Sequence, residues 1–282
     1  MASEQKARII TAAIALPVLI ASILLPILEL VFVGLAAAAL LLGLYEFWLL
    51  ARRRQLKPEL TLGLVFAAAL LVAFFFNWPV HEPLLLFVAL VLLTMITLAV
   101  AMLRGAPFEQ LLTSVGATVL GVLYVVVLGG HIIAVRSGFQ PTLAAKLLSF
   151  FFLVLMGSDT AAYYTGRALG RHKLAPNVSP GKTWEGAVGG MTASLLAAVA
   201  AHYLFFRELG LIAALPLAAL MNVLGVIGDL TESALKRGAG AKDAAQVLPG
   251  HGGLLDRLDS LLFNAPVIYY FAVYYFGVAG LR

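Results

Sequence analysis

The chain has 282 residues, 62% of them apolar and only 12% charged, with a mean hydropathy of +1.00. Soluble domains run at about 45–50% apolar and about 25% charged, so this composition excludes a water-soluble fold and makes lipid the main solvent. The absence of cysteine excludes a disulfide framework, a thiol nucleophile and a thiolate metal site, and the net charge of +5 is read as loop topology before nucleic acid.

A spanning helix needs roughly 20 apolar residues. On that measure the sequence predicts spans at about 9–27, 30–50, 61–78, 83–103, 111–134, 147–166, 186–206, 210–230 and 259–280. This is an all-α polytopic membrane protein of about nine transmembrane helices. Lys6 and Arg8 ahead of the first span resemble a signal peptide, but no small-residue cleavage site follows, so that helix is expected to be retained. A tight turn near Pro26–Glu29 separates it from the second span. With the N-terminus inside, only Arg136, Lys146, Arg207 and Arg282 of the 19 basic residues fall outside. The excess on the other segments predicts an inside N-terminus and an outside C-terminus.

Residues 1–145 carry few polar groups and read as an N-terminal membrane scaffold of about five helices. Residues 146–282 read as a catalytic membrane domain with two polar cytoplasmic loops, 167–185 and 231–258. Its small-residue stretch GAVGGMTASLLAAVAA permits close helix packing, which is compatible with a homodimer through membrane helices.

Asp159 lies within the sixth span, about two turns or on the order of 10 Å from its inside end. An ionised carboxylate at such a depth costs several kcal/mol unless paired, which marks a functional position. In the loop that follows, Arg167, Arg171 and Lys173 are read as inside anchors. Ser179, Lys182 and Thr183 flank a proline-glycine turn at the start of a helix, an arrangement that suits phosphate. The spacing is not that of a P-loop.

The densest polar stretch is GVIGDLTESALKRGAGAKDAAQVLPGHGGLLDRLDSLLF. Asp229, Glu232, Ser233 and Lys236 are spaced i, i+3, i+4 and i+7, one face of a helix. Asp256 and Asp259 repeat the i, i+3 spacing on the next helix, with Arg257 between them. The joining loop holds Lys242, Asp243 and a turn of Pro249, Gly250, His251, Gly252 and Gly253, whose glycines let the backbone pass close to a ligand. Carboxylates at two helix mouths are hard oxygen donors suited to Mg²⁺, with cations alongside for phosphates.

The run SALKRGAGAKDAAQVLPGHGGLLDRLD, residues 233–259, resembles over its whole length the signature of the phosphatidate cytidylyltransferases, also called CDP-diacylglycerol synthases. SDTAAYYTGRALGRHKLAP and SPGKTWEG resemble that family too, so the likeness covers roughly residues 150–265; Ala244 and Ala245 depart from the bulkier residue and the glycine expected there. The resemblance implies transfer of CMP from CTP to phosphatidic acid, giving CDP-diacylglycerol and pyrophosphate with Mg²⁺, for phospholipid biosynthesis at the inner membrane. It implies Asp229 and Asp256 as metal ligands, with Asp159 and Asp259 as further ligands or close neighbours. Lys236, Arg237, Lys242 and Arg257 are implied to hold the CTP triphosphate or the lipid phosphate, and Ser179, Lys182 and Thr183 to touch one of the two. Asp243 and His251 join the catalytic group by the same likeness, with His251 serving either the loop's order or acid-base chemistry. Ser233, Gly252 and Gly253 join the substrate-binding group. The competing readings are a CTP-dependent kinase of a lipid alcohol and an ion- or proton-coupled transporter, the latter disfavoured by the lack of an internal repeat.

Overall fold

The computed structural model describes residues 15–105, 108–241, 253–277 and 280–282. The protein is a polytopic all-α membrane protein. A short helix α1 (Ala15–Leu24) meets a 3₁₀ turn at Pro26–Leu28, the tight turn expected there, and α2 (Glu29–Arg53) follows. Arg52 and Arg53 close α2 where cations complement the helix dipole, and Gln55 then takes a left-handed φ of 62° that ends it. Next come α3 (Leu60–Phe75), the single turn α4 (Trp78–His81) and α5 (Pro83–Leu103). Proline starts α5 without loss, since the first helical N–H has no partner in any case. Helix α6 (Phe108–Gly121) runs through a π-helical segment, Val122–Val127, into α7 (Leu128–Gly138). The second half holds α8 (Pro141–Leu169), strands β1 (Lys173–Ala175) and β2 (Ser179–Thr183), then α9 (Trp184–Leu204), α10 (Leu211–Gly238) and α11 (Leu255–Phe276).

Each expected span holds a helix among the described residues, though boundaries move. Six are long and apolar enough to cross a membrane: Pro26–Arg53, Pro83–Leu103, Phe108–Gly138, Pro141–Leu169, Trp184–Leu204 and Leu211–Gly238. Helices α1 and α3 are shorter and apolar. Helix α8 begins six residues before the expected 147, because Pro141 can open a helix and apolarity alone does not register that start.

Two expectations need correction. The loop at 167–185 is not irregular: an antiparallel hairpin pairs Lys173 with Thr183 and Ala175 with Ser179. The loop at 231–258 starts late, because α10 continues in helical form to Gly238. Both errors come from taking the end of apolarity as the end of structure. The small-residue stretch of α9 packs inside the chain: Gly186, Gly190, Ser194, Ala198 and Ala201 are buried on a helix that lies against α8 and α10. That stripe is therefore already occupied within one chain.

The core is organised around α7, which packs against α2, α3, α8 and α11. Trp48, Phe74, Phe150, Phe151, Phe206 and Tyr269 are fully buried around it. Outward-facing residues such as Ile27, Leu112, Leu204 and Ile212 are largely exposed, an apolar belt suited to lipid and to no other solvent. Arg136, expected in an outside loop, is instead buried in the last turn of α7. It donates to the carbonyls of Ser22 and Leu25 at 3.2 and 3.1 Å and lies 3.7 Å from Glu29. These are carbonyls at the end of α1, which a helix leaves without partners of its own.

Candidate functional site

The site forms where α8, the hairpin, α9, α10 and α11 meet. Thr183 caps α9, its Oγ1 accepting the Gly186 N–H at 3.1 Å, so its hydroxyl oxygen first serves the fold. The Trp184 N–H donates to the His172 carbonyl at 3.0 Å, and His172 Nδ1 lies 2.7 Å from Glu185 Oε1. These contacts hold the hairpin over the gap between α8 and α10. On the far side α10 and α11 touch backbone to backbone. A Cβ added at Gly228 would stand 2.5 Å from the Asp259 carbonyl oxygen.

The cleft, half open to its surroundings, has a volume of about 550 Å³. Its walls carry Asp159, Tyr163 and Arg167 from α8, Ser179, Lys182 and Thr183 from β2, Asn222 and Asp229 from α10, and Asp256 and Asp259 from α11. Lys182 Nζ stands 2.6 Å from Asp229 Oδ2, a bond between two segments that composition alone could not pair. Ser233 Oγ donates more weakly to Asp229 Oδ1 at 3.4 Å.

A second ionic cluster braces the α10–α11 seam. Lys236 Nζ lies 2.7 Å from Glu232 Oε2 and 2.8 Å from Asp256 Oδ1. Asp256 Oδ2 also accepts the Gly253 N–H at 3.2 Å. Glu232 is only 1% exposed, so removing Lys236 would leave a buried carboxylate without its ammonium partner, the costly half of such an exchange. Deeper in the cleft Asn222 Nδ2 donates to Ser158 Oγ at 2.5 Å.

The charge balance has a chemical meaning. Asp159, Asp229 and Asp259 lie in one another's fields with Lys182 as their facing ammonium, while Lys236 is shared between Glu232 and Asp256. Among the described residues, cations on the cleft's walls do not balance its carboxylates, and the surplus is of hard oxygen donors. Among the described residues no three acidic or imidazole groups close on a common point to cage an ion unaided. Mg²⁺ rarely asks for such a cage; it takes one or two carboxylates and completes its shell with water and substrate phosphates. Donor type and charge therefore fit a divalent cation shared with a phosphate ligand.

Of the residues expected from sequence, Asp159, Ser179, Lys182, Thr183, Asp229, Asp256 and Asp259 converge on this cleft. Ser233, Lys236 and Gly253 support its carboxylates from behind. Arg237 and Arg257 are exposed and do not line it; Arg237 Nη1 instead lies 3.4 Å from the Ala241 carbonyl. Lys242, Asp243, His251 and Gly252 lie outside the described residues, as do Lys6 and Arg8. Tyr163, Arg167 and Asn222 are wall residues that the sequence reading did not place in the site. Arg167 was taken as an anchor, although Asp159, Tyr163 and Arg167 follow the i, i+4, i+8 stripe of one helix face. Asn222 is the polar residue two turns before Asp229, a spacing that places both on the same side of α10.

Residues 6–275 match a family described as the cytidylyltransferase family. Over 136 residues the chain is 43% identical to the phosphatidate cytidylyltransferase of Haemophilus influenzae, covering 47% of this chain and 46% of that protein. Over 123 residues it is 47% identical to the phosphatidate cytidylyltransferase of Brucella suis, covering 43% and 45% respectively. Over 130 residues it is 46% identical to the uncharacterized protein YnbB of Escherichia coli, covering 46% and 43%. The aligned chain thus spans less than half the length of these curated relatives.

Proposed function

The chain belongs to the cytidylyltransferase family, and from that membership and the cleft we propose that it transfers CMP from CTP to phosphatidic acid. The observation that carries the reading is the Lys182–Asp229 pair at 2.6 Å, set in a cleft that also holds Asp159, Asp256 and Asp259. A phosphate oxygen of the lipid attacks the α-phosphorus of CTP. The bond from that phosphorus to the oxygen bridging toward the β-phosphate breaks, and pyrophosphate leaves. The products are CDP-diacylglycerol and pyrophosphate, the first step toward phospholipid headgroups.

This reaction asks the protein for position and charge, not for a nucleophile of its own. A phosphate monoester is already nucleophilic at neutral pH. What opposes the reaction is the gathering of several negative charges. Lys182 and Arg167 face the cleft as phosphate partners, and Ser179 and Thr183 offer hydroxyls at its hairpin wall. Asp229 and Asp256 are the residues we assign to hold Mg²⁺, with Asp159 and Asp259 beside them. When bound, Mg²⁺ supplies charge neutralisation at the phosphates. Lys236 holds Asp256 in place from behind. Lipid tails remain among the apolar helices while CTP arrives from water, which requires the cleft to lie near the membrane surface.

The test of activity is incubation of purified protein with phosphatidic acid, Mg²⁺ and CTP labelled at the α-phosphate. A labelled lipid that co-migrates with CDP-diacylglycerol is the expected product. An unlabelled lipid in that incubation, with a lipid labelled instead from γ-labelled CTP in a parallel one, would replace this reading with a lipid kinase. We further place the cleft on the cytoplasmic face of the inner membrane, on the strength of the basic residues in both polar segments. Cysteines introduced at Ala175 and Ala239 should then label only from the cytoplasmic side. Reaction of either with an impermeant reagent in intact cells would reverse the orientation.

A further inference from the structure

Among the described residues the N-terminal helices contribute no wall to the cleft, yet one of their side chains reaches the helix that carries half of its aspartates. Glu46 of α2 is fully buried, and its Oε2 accepts the Leu255 N–H at 2.7 Å. Leu255 is the first residue of α11 and directly precedes Asp256. The residue at the cap position is Leu254, which has no side-chain acceptor. Helices leave their first N–H groups without internal partners, so α11 is capped from a different helix, 209 residues away in sequence. A carboxylate is the favoured group there, because the N-terminal end of a helix carries partial positive charge.

The surroundings make this a fixed contact. One turn before Glu46, a Cβ added at Gly43 would lie 3.1 Å from Leu258 of α11. One residue after it, Phe47 packs on Tyr124 with ring centroids 5.9 Å apart. Tyr124, from the π-helical segment, meets Phe263 of α11 edge-on at 6.3 Å. The first turns of α11 therefore rest on α2 and on the π-helical segment, and Glu46 is the polar contact in that apolar bed.

We propose that Glu46 is a positioning residue for the transfer reaction, capping α11 so that Asp256 and Asp259 stand in register with Asp229 and Lys182. The proposal rests on the cytidylyltransferase reading for its link to turnover, but the cap itself can be measured without it. Losing the cap frees the first turn of α11, and Asp256 then no longer holds its place beside Lys236. Misplacements of about 1 Å are enough to lower turnover by about 100-fold.

Two variants of the full chain separate the cap from bulk stability. Glu46→Gln keeps an oxygen for the Leu255 N–H, whereas Glu46→Leu keeps the volume and removes the acceptor. Hydrogen exchange over residues 254–260 in detergent should quicken about tenfold in Glu46→Leu, with α8 and α9 unchanged. CDP-lipid formation per monodisperse protein should fall by about 10- to 100-fold, with a higher Mg²⁺ requirement. Glu46→Gln should stay within a few-fold of the parent in both measurements. Unaltered exchange over 254–260 in Glu46→Leu would overturn the cap, and faster exchange throughout the chain in both variants would reduce Glu46 to a general packing residue. If the parent protein forms no CDP-lipid, the reaction assigned above fails, while the exchange comparison still decides the cap.

Discussion

Replacing Asp229 by Asn is expected to lower turnover by about 10³-fold or more, equivalent to about 4 kcal/mol of transition-state stabilisation, with the fold retained. Asn has nearly the same shape, so the α10 backbone and the Ser233 contact have no reason to move. What disappears is the charge that pairs with Lys182 at 2.6 Å and that we assign to hold Mg²⁺. Lys182 keeps about a fifth of its side-chain surface in solvent, so water compensates part of its lost partner. Folding therefore survives a change that the chemistry does not. Asp256→Asn should behave similarly, because Lys236 retains Glu232 at 2.7 Å. The measurement is turnover across a Mg²⁺ titration on monodisperse protein. Turnover and Mg²⁺ dependence like those of the parent, in either variant, would remove that residue from the metal site. Poor expression with near-normal activity per folded molecule would give it a structural role instead.

Gly228→Ala should be a damaging single-methyl change at the α10–α11 seam. The added carbon would stand 2.5 Å from the Asp259 carbonyl oxygen and 3.2 Å from its carbonyl carbon. Both are backbone atoms of α11 and cannot swing aside as a side-chain end would. The helices must separate by a substantial fraction of an ångström, and overpacking of this kind costs about 1–3 kcal/mol. The functional loss should be larger than the stability loss suggests. Asp229 is the next residue along α10 and Asp259 is itself a wall of the cleft, so the strain falls on catalytic geometry. We expect about 100-fold lower turnover with a modest fall in melting temperature. Gly157→Ala is the matched control, because a Cβ there meets nothing within 4 Å and alanine is the better helix former. Equal activity in the two variants would mean that the α10–α11 approach does not set the reaction geometry.

Hydrophobic run length alone determined the class of this protein and the approximate place of each helix, because a bilayer imposes one ruler on every spanning segment. Local spacing also determined which face of α10 carries Asp229, Glu232, Ser233 and Lys236, since helical period places those residues on one side. Where apolarity ended, that ruler was silent. It could not register that α10 persists to Gly238 or that residues 173–183 form a hairpin. Both are held by backbone bonds and caps, which leave little trace in hydrophobicity. Pairing was a separate matter. The sequence singled out Lys182 and Asp229 independently, but only the packing of β2 against α10 brought their charges within 2.6 Å. Tertiary structure likewise turned Arg167 from an anchor into a wall of the cleft, and used the small residues of α9 inside the chain. Glu46 is the extreme case, a carboxylate in an apolar helix whose partner is a backbone N–H 209 residues away. Every residue has such an N–H, so no side-chain pattern announces which one a distant carboxylate will cap, and only the crossing of α2 with α11 decided it.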